Sequence, residues 1–215
     1  MNKLRRTLTF AFALAATPVS LALRAQSPGS AGYSTLGTAL QTDDPAKVEV
    51  VEFFWYGCIH CFNFEPALDA WVPKLPPDAY FRRVPAIFNE RWALDASIFY
   101  TFEALGVLGK LHRPLFDAIH KDRLRTDNPA ALGEWLGKNG LDPKKFDAAM
   151  KSFGVQSKVK RAGQLTAGAR IDGTPALMVQ GRYTISAEQG GSLEGMLVNA
   201  NQLIPLVRKT LPNKK

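Results

Sequence analysis

The chain has 215 residues, of which 46% are hydrophobic and 21% charged; this is enough apolar material to bury a core and excludes disorder over most of its length. The formal net charge is +8, but four basic residues lie within the first 25 positions, which contain no acid. The remainder carries 23 basic and 19 acidic residues, scattered without any nucleic-acid-binding motif. Composition therefore predicts a globular protein with no nucleic-acid partner.

Residues 1–25 have the organisation of a signal peptide. Three basic residues near the start precede an apolar run over residues 8–16, and small residues extend to Ala25 as a cleavage point. The apolar run is far shorter than the roughly 20 residues needed to span a bilayer. We therefore expect an exported protein in which residues 26–46 form an N-terminal leader.

A buried strand followed by a helix is predicted around the cysteines. Residues 48–55 are rich in β-branched and aromatic side chains, and Gly57 ends this strand. From Cys58 to about Trp71 the apolar residues recur at helical spacing. Cys58 would then lie at a helix start, where free backbone N–H groups and the helix dipole favour an anion such as a thiolate. Cys61, one turn further in, should be less exposed.

Cys58 and Cys61 are the only cysteines, in the sequence Cys-Ile-His-Cys. A disulfide across two intervening residues closes almost no loop and stabilises little, so we expect its role to be chemical. The alternatives are a zinc half-site and an incidental pair. Zinc usually needs about four ligands, and His112 and His120 show no ligand spacing, so we expect them to be ordinary surface or boundary residues. The pair therefore favours redox chemistry without a metal.

The rest of the chain combines short strands with a long helical stretch. We expect a second strand over 79–84, two short strands over 174–183, and a last amphipathic helix from about 192 to 209. The 85 residues between Phe88 and Thr174 are too many for a loop and are predicted to be helical. Two pairs of a capping residue and a proline mark helix starts within them: Asn128-Pro129 and Asp142-Pro143.

Together these motifs resemble a known family. The strand, the Cys-x-x-Cys pair at a helix start, Pro66 five residues after Cys61, and the late Gly-Thr-Pro-Ala at 173–176 resemble the thioredoxin fold. Glu52-Phe-Phe, the histidine between the cysteines, the export signal and the long insertion resemble the DsbA-type thiol:disulfide oxidoreductases of bacterial periplasms. Ile59 departs from the family, which often has proline there, and this bears on the redox potential.

The resemblance implies an α/β protein with a thioredoxin-like fold and an inserted helical domain. The thioredoxin-like parts would be residues 47–90 and 168–215, with the insertion over 91–167. The resemblance also implies that the Thr174–Pro175 peptide bond is cis and lies against the cysteines. The Thr174 backbone could there pair with an extended substrate.

Glu52 and His60 are predicted to tune the cysteine pair. The strand around Glu52 is apolar on both sides, so we expect a buried carboxylate that serves as a proton relay or electrostatic tuner beneath the thiolate. The alternative is a glutamate at a solvated strand end. The resemblance implies a basic partner on the second strand, and Arg83 occupies that place. His60 lies in the same turn as Cys58 and should favour its thiolate.

The sequence thus predicts a periplasmic oxidase that donates its Cys58–Cys61 disulfide to newly exported, unfolded proteins and needs no other cofactor. A stabilised thiolate is the better leaving group, which makes the disulfide form a stronger oxidant. A monomer is expected, and the resemblance implies reoxidation by a DsbB-type membrane oxidase. The alternatives are a disulfide reductase or isomerase, although residues 26–46 are too short for the dimerisation domain of the isomerase relatives, and a peptide-holding chaperone with incidental cysteines.

Overall fold

The computed structural model describes residues 32–211, so the predicted signal peptide lies outside the described residues. The strands are β1 (Ser34–Thr35), β2 (Val48–Phe54), β3 (Ala79–Pro85), β4 (Ala176–Val179) and β5 (Tyr183–Ser186). The helices are α1 (Ile59–Trp71), α2 (Glu90–Ala104), α3 (Leu108–His120), α4 (Pro129–Lys138), α5 (Pro143–Met150), α6 (Phe153–Gly168), α7 (Ala187–Gly190) and α8 (Leu193–Arg208). A short 3-10 turn, Val72–Lys74, follows α1. The α/β class is as predicted.

The strands form one sheet in the order β1-β5-β4-β2-β3. Strand β2 runs parallel to β3 and antiparallel to β4, and all seven of its residues are buried. A strand covered on both faces needs apolar side chains in both directions, which explains the nearly continuous hydrophobic run from which it was predicted. Helix α1 leaves the end of this strand and begins at the first cysteine.

Each face of the sheet supports its own hydrophobic core, because alternate residues of a strand point to opposite sides. Val48 and Val50 pack with α1 and α8 on one face. Val51 and Phe53 belong to the core that includes residues of α2 to α6 on the other. The apolar stripe predicted for the last helix is buried in the first of these cores.

Helices α2 to α6 follow β3 and precede β4 in the chain, where the helical insertion was predicted. The Asn128 side chain accepts hydrogen bonds from backbone N–H groups in the first turn of α4. The Asp142 side chain does the same for α5. Both predicted helix starts are therefore confirmed. The division of the chain into domains at residues 91 and 167 stays a prediction.

Part of the predicted leader packs against the sheet. Strand β1 pairs with β5 in antiparallel register, and the next residue, Leu36, is buried in the core. This segment therefore adds an edge strand to the fold. Among the helices of residues 32–211, none combines the length and hydrophobicity required to cross a bilayer.

Candidate active site

Cys58 is the N-cap residue of α1. Its backbone is extended (φ −87°, ψ 115°), and its Sγ accepts a hydrogen bond from the backbone N–H of Cys61 at 3.4 Å. Both cysteines are free thiols; Cys58 is half-buried and Cys61 is fully buried. The predicted arrangement, an accessible sulfur at the helix start and a second sulfur held one turn further in, is therefore present.

The two thiols differ in acidity. The pKa of Cys58 is lowered to about 5, and the hydrogen bond from the Cys61 thiol is the largest cause, against the opposing effect of partial burial. The Thr174 side chain and the backbone N–H groups of Cys61 and His60 contribute to the same lowering. Burial raises the pKa of Cys61 well above the ordinary value, and the charges of Cys58 and Glu52 add to this. The sequence pointed to the helix start, but not to the Cys61 thiol as the largest contribution.

The loop before β4 closes the site from the other side. The Thr174–Pro175 peptide bond is cis, and Cys58 Sγ lies 3.3 Å from the Thr174 carbonyl oxygen, to which the protonated thiol donates. The contact joins residues 116 positions apart in the chain. Thr174 therefore lies against the more accessible cysteine, as the resemblance implied.

The residues between the cysteines are exposed. Ile59 is 47% exposed, and His60 also faces solvent. The contribution of His60 to the acidity of Cys58 comes from its backbone N–H, which a different residue at that position would keep. Any effect of the imidazole would therefore be additional to the helix-start effect.

Glu52 is completely buried in the central strand, which excludes the solvated strand end. Arg83 is its register partner on β3, and Arg83 Nε lies 3.1 Å from Glu52 Oε2. Within residues 32–211, however, neither carboxylate oxygen of Glu52 accepts a hydrogen bond. Burial therefore raises the pKa of Glu52 to about 8, although the charge of Arg83 opposes this shift. A carboxyl group with this pKa is protonated at neutral pH and can exchange a proton near it.

Two residues beside this pair were not predicted as site residues. Glu65, one turn after Cys61 in α1, is buried, and its Oε2 lies 3.1 Å from Arg83 Nη2. His112 in α3 is also buried, with Nε2 3.4 Å from Glu65 Oε1 and Nδ1 2.8 Å from the Tyr56 hydroxyl. The expectation of an ordinary surface or boundary histidine is wrong for His112, because α3 packs this residue against the strand-to-helix turn.

A sequence signal for proximity to the cysteines existed for only one of these two residues. Glu65 follows Cys61 by four positions, so helical spacing places it on the same face of α1. His112 belongs to a separate helix and reaches the site only through tertiary packing. His120, also in α3, is half-buried; its Nε2 lies 2.8 Å from the carbonyl oxygen of Tyr56. Its prediction as a boundary residue is consistent with this position.

The arrangement provides an acidic thiol, a buried thiol beside it and a carboxyl group that titrates near neutral pH. This is suited to thiol–disulfide exchange, in which a thiolate attacks or leaves and its partner sulfur gains or loses a proton. Among residues 32–211, no three His, Cys, Asp or Glu side chains are grouped so as to hold a metal ion. The geometry thus defines a thioredoxin-like thiol:disulfide oxidoreductase.

Comparison with known proteins identifies the family. Residues 81–197 match the family described as "DSBA-like thioredoxin domain". The "Thiol:disulfide interchange protein DsbA" of Azotobacter vinelandii is 42% identical over 172 residues, 80% of each chain, and that of Bordetella parapertussis is 40% identical over 203 residues, 94% of this chain and 96% of the relative. The crystal structure of Pseudomonas aeruginosa DsbA superposes with a TM-score of 0.79 at 35% identity, covering 83% of this chain and 93% of the other. The chain belongs to the DsbA family of thiol:disulfide oxidoreductases.

Proposed function

We propose that this protein is a periplasmic oxidase that donates the Cys58–Cys61 disulfide to newly exported, unfolded proteins. The protein needs no cofactor besides this redox-active disulfide. It acts as a monomer. A DsbB-type membrane oxidase returns the reduced protein to the disulfide form. The relatives named thiol:disulfide interchange protein DsbA support this assignment.

The observation that carries the proposal is the acidity of Cys58. Its pKa of about 5 means that the reduced protein holds this sulfur as a thiolate at pH 7. Stabilising the reduced form makes the disulfide form a stronger oxidant. The difference of about two units between this pKa and pH 7 corresponds to about 60 mV in reduction potential. This is an upper value, because solvent at the half-exposed sulfur screens part of the effect.

The oxidation proceeds in two exchanges. A substrate thiolate attacks Cys58 Sγ, the Cys58–Cys61 bond breaks, and Cys61 leaves and takes up a proton. The second substrate thiol, once deprotonated, attacks the substrate sulfur of the mixed disulfide, and Cys58 leaves as a thiolate. The substrate loses two electrons, and the two cysteines gain them.

Glu52 supplies the proton that Cys61 takes up, and it accepts one during reoxidation. Its raised pKa keeps the carboxyl group protonated at pH 7, and once it has given up this proton its negative charge raises the pKa of Cys61. The charge of Arg83 opposes this rise and so keeps the pKa of Glu52 close to neutral pH. His60 and Ile59, both exposed between the cysteines, adjust the potential.

Thr174 and Pro175 form the substrate-binding side of the site. The Thr174 carbonyl lies 3.3 Å from Cys58 Sγ, so an extended substrate joined to Cys58 would run next to this backbone. Pairing of the two backbones would add a single strand-like contact. Such a contact depends little on substrate side chains, which suits an enzyme that acts on many unfolded proteins.

Trapping of mixed disulfides tests the division of labour between the cysteines. Cys61→Ser should accumulate covalent complexes with exported proteins through Cys58, visible as reducible bands on a non-reducing gel. Cys58→Ser is the matched control and should accumulate few, because Cys61 is buried. Equal trapping by the two variants would contradict the proposed attack on Cys58.

Redox equilibrium with glutathione separates the oxidase from the alternatives. An oxidase should be reduced readily by glutathione, whereas a potential as low as that of thioredoxin would indicate a reductase. The variant lacking both cysteines provides the second control. It should lose all activity towards unfolded proteins; retained suppression of aggregation would indicate a chaperone instead.

A further inference from the structure

The ring of His112 projects from α3 and packs against the active-site turn. Aromatic rings surround it: its centroid lies 5.3 Å from that of Phe54, 5.8 Å from that of Phe99 and 5.2 Å from that of Phe116. The two ring nitrogens face the Tyr56 hydroxyl at 2.8 Å and Glu65 Oε1 at 3.4 Å. A polar ring in such a setting is held by these two partners.

The positions of the protons in the hydrogen-bonded series Tyr56–His112–Glu65 can be assigned from the chemistry of these three side chains. Burial raises the pKa of Tyr56 well above its ordinary value, so the hydroxyl keeps its proton. Burial lowers the pKa of His112, so the imidazole is neutral at pH 7. Nδ1 therefore accepts from the Tyr56 hydroxyl, and Nε2, which carries the ring proton, donates to the carboxylate of Glu65.

Glu65 connects the series Tyr56–His112–Glu65 to the redox site through Arg83. The guanidinium of Arg83 lies 3.1 Å from Glu65, 3.1 Å from Glu52 and 3.8 Å from Asp69. One positive charge is thus shared among three carboxyl groups. A hydrogen bond that Glu65 accepts from a group other than Arg83 stabilises its carboxylate independently. The charge of Arg83 can then act more strongly on Glu52.

We propose that His112 is a positioning residue of the redox site: by donating from Nε2 to Glu65, it divides the charge of Arg83 between Glu65 and Glu52. Tyr56 acts with it by fixing the ring proton on Nε2. The proposal rests on the proposed role of Glu52 in proton exchange with Cys61. The ring nitrogens of His112 face Tyr56 and Glu65 rather than the reacting sulfurs.

The direction of the effect follows from the charged groups around each carboxyl. Glu52 interacts electrostatically with four groups: Arg83, Glu65, Asp69 and Cys61. His112 interacts with three of the same groups: Glu65, Arg83 and Asp69. Without the donor on His112, Glu65 keeps its charge through Arg83 alone and draws the guanidinium towards itself. Glu52 then loses part of its positive partner and releases its proton at higher pH.

The test is an NMR titration of side-chain carboxyl carbons in the oxidised protein, where neither cysteine titrates. Glu52→Gln assigns the Glu52 resonance by removing it. His112→Leu should raise the midpoint of Glu52 by about half a pH unit or more. His112→Gln should stay near the wild-type midpoint, because an amide can both donate to Glu65 and accept from Tyr56.

An unmoved or lowered Glu52 midpoint in His112→Leu would overturn the inference. If His112→Leu does not fold, His112→Phe decides by the same criterion, since it keeps a ring at this position and removes the donor to Glu65. The proposed role of Glu52 fails by a different result: an unchanged oxidation rate in Glu52→Gln. The two failures are therefore distinguishable.

Discussion

Glu49 and Glu52 lie three residues apart on β2, and both are completely buried, but their surroundings differ. The carboxylate of Glu49 accepts hydrogen bonds from the Tyr80 hydroxyl at 2.7 Å, from Arg82 Nε at 2.8 Å and from the Asp43 backbone N–H at 3.1 Å. Glu52 has the ion pair with Arg83 and, within residues 32–211, accepts no hydrogen bond.

The difference follows from the alternation of side chains along paired strands. Arg82 and Arg83 are neighbours on β3 and point to opposite faces of the sheet, as do Glu49 and Glu52 on β2. On one face the glutamate meets an arginine, a tyrosine and a backbone donor. On the other, the arginine is shared with Glu65 and Asp69. Burial alone therefore does not indicate a functional carboxyl group; an incomplete set of partners does.

The largest expected difference between the two glutamates is in stability. Glu49→Leu should lower the free energy of unfolding by about 3 to 5 kcal/mol, because it leaves Arg82 and the Tyr80 hydroxyl without their buried acceptor. Glu52→Leu should not lower it, since Arg83 keeps Glu65 and the variant no longer has to keep a buried carboxyl group protonated at pH 7. Urea denaturation of both oxidised variants at pH 7 measures this. Equal losses would contradict the assignment of Glu49 to structure and Glu52 to function.

A second difference should appear in the pH dependence of stability. In the unfolded chain Glu52 loses its proton near its ordinary pKa of 4.5, whereas in the folded chain it keeps the proton to about pH 8. Between these values the unfolded state binds fewer protons, so stability falls as pH rises. The slope is about 1.4 kcal/mol per pH unit, or about 3 kcal/mol between pH 5 and pH 7.

Glu52→Gln removes this contribution. The free energy of unfolding of the variant minus that of wild type should therefore be about 3 kcal/mol larger at pH 7 than at pH 5. Unfolding in urea at both pH values gives the comparison. If the difference between wild type and variant were the same at pH 5 as at pH 7, Glu52 would not have the raised pKa that its proposed role requires.

The smallest expected effect is on turnover. Glu52→Gln should slow peptide oxidation roughly tenfold, because the amide cannot give a proton to Cys61 and water replaces the carboxyl group only in part. Glu49→Gln is the matched control; it changes the same functional group three residues away and should leave the rate of the folded protein unchanged. Similar rates in the two variants would remove the proton-exchange role of Glu52.

The sequence was informative where the relevant interactions are local. The strand over 48–55, the helix start at Cys58 and the capped starts of α4 and α5 each depend on residues within a few positions, and the structure confirms them. The burial of Glu52 could also be predicted, because the hydrophobic run on both sides of it is typical of a central strand.

The sequence was not informative where distant segments meet. Tyr56 and His112 are 56 residues apart, and their contact requires α3 to pack against the active-site turn. No periodicity encodes that contact; the spacing of His112 with Leu115 and Phe116 indicates only that it lies on the buried face of α3, not which segment covers it. The complete set of partners around Glu49 was equally hidden, because it joins residues from β3 and from the segment before β2.

The proposed oxidase activity depends above all on the acidity of Cys58, which is measured by the ultraviolet thiolate absorbance of the reduced protein against pH. The start of α1, the Cys61 thiol and Thr174 should give a midpoint at about pH 5. Cys58→Ser is the control and should abolish this transition, since burial moves the titration of Cys61 far higher. A midpoint near the value of an ordinary thiol, about 8.5, would mean that Cys58 is not a thiolate at pH 7 and that the protein is not an oxidase of this kind.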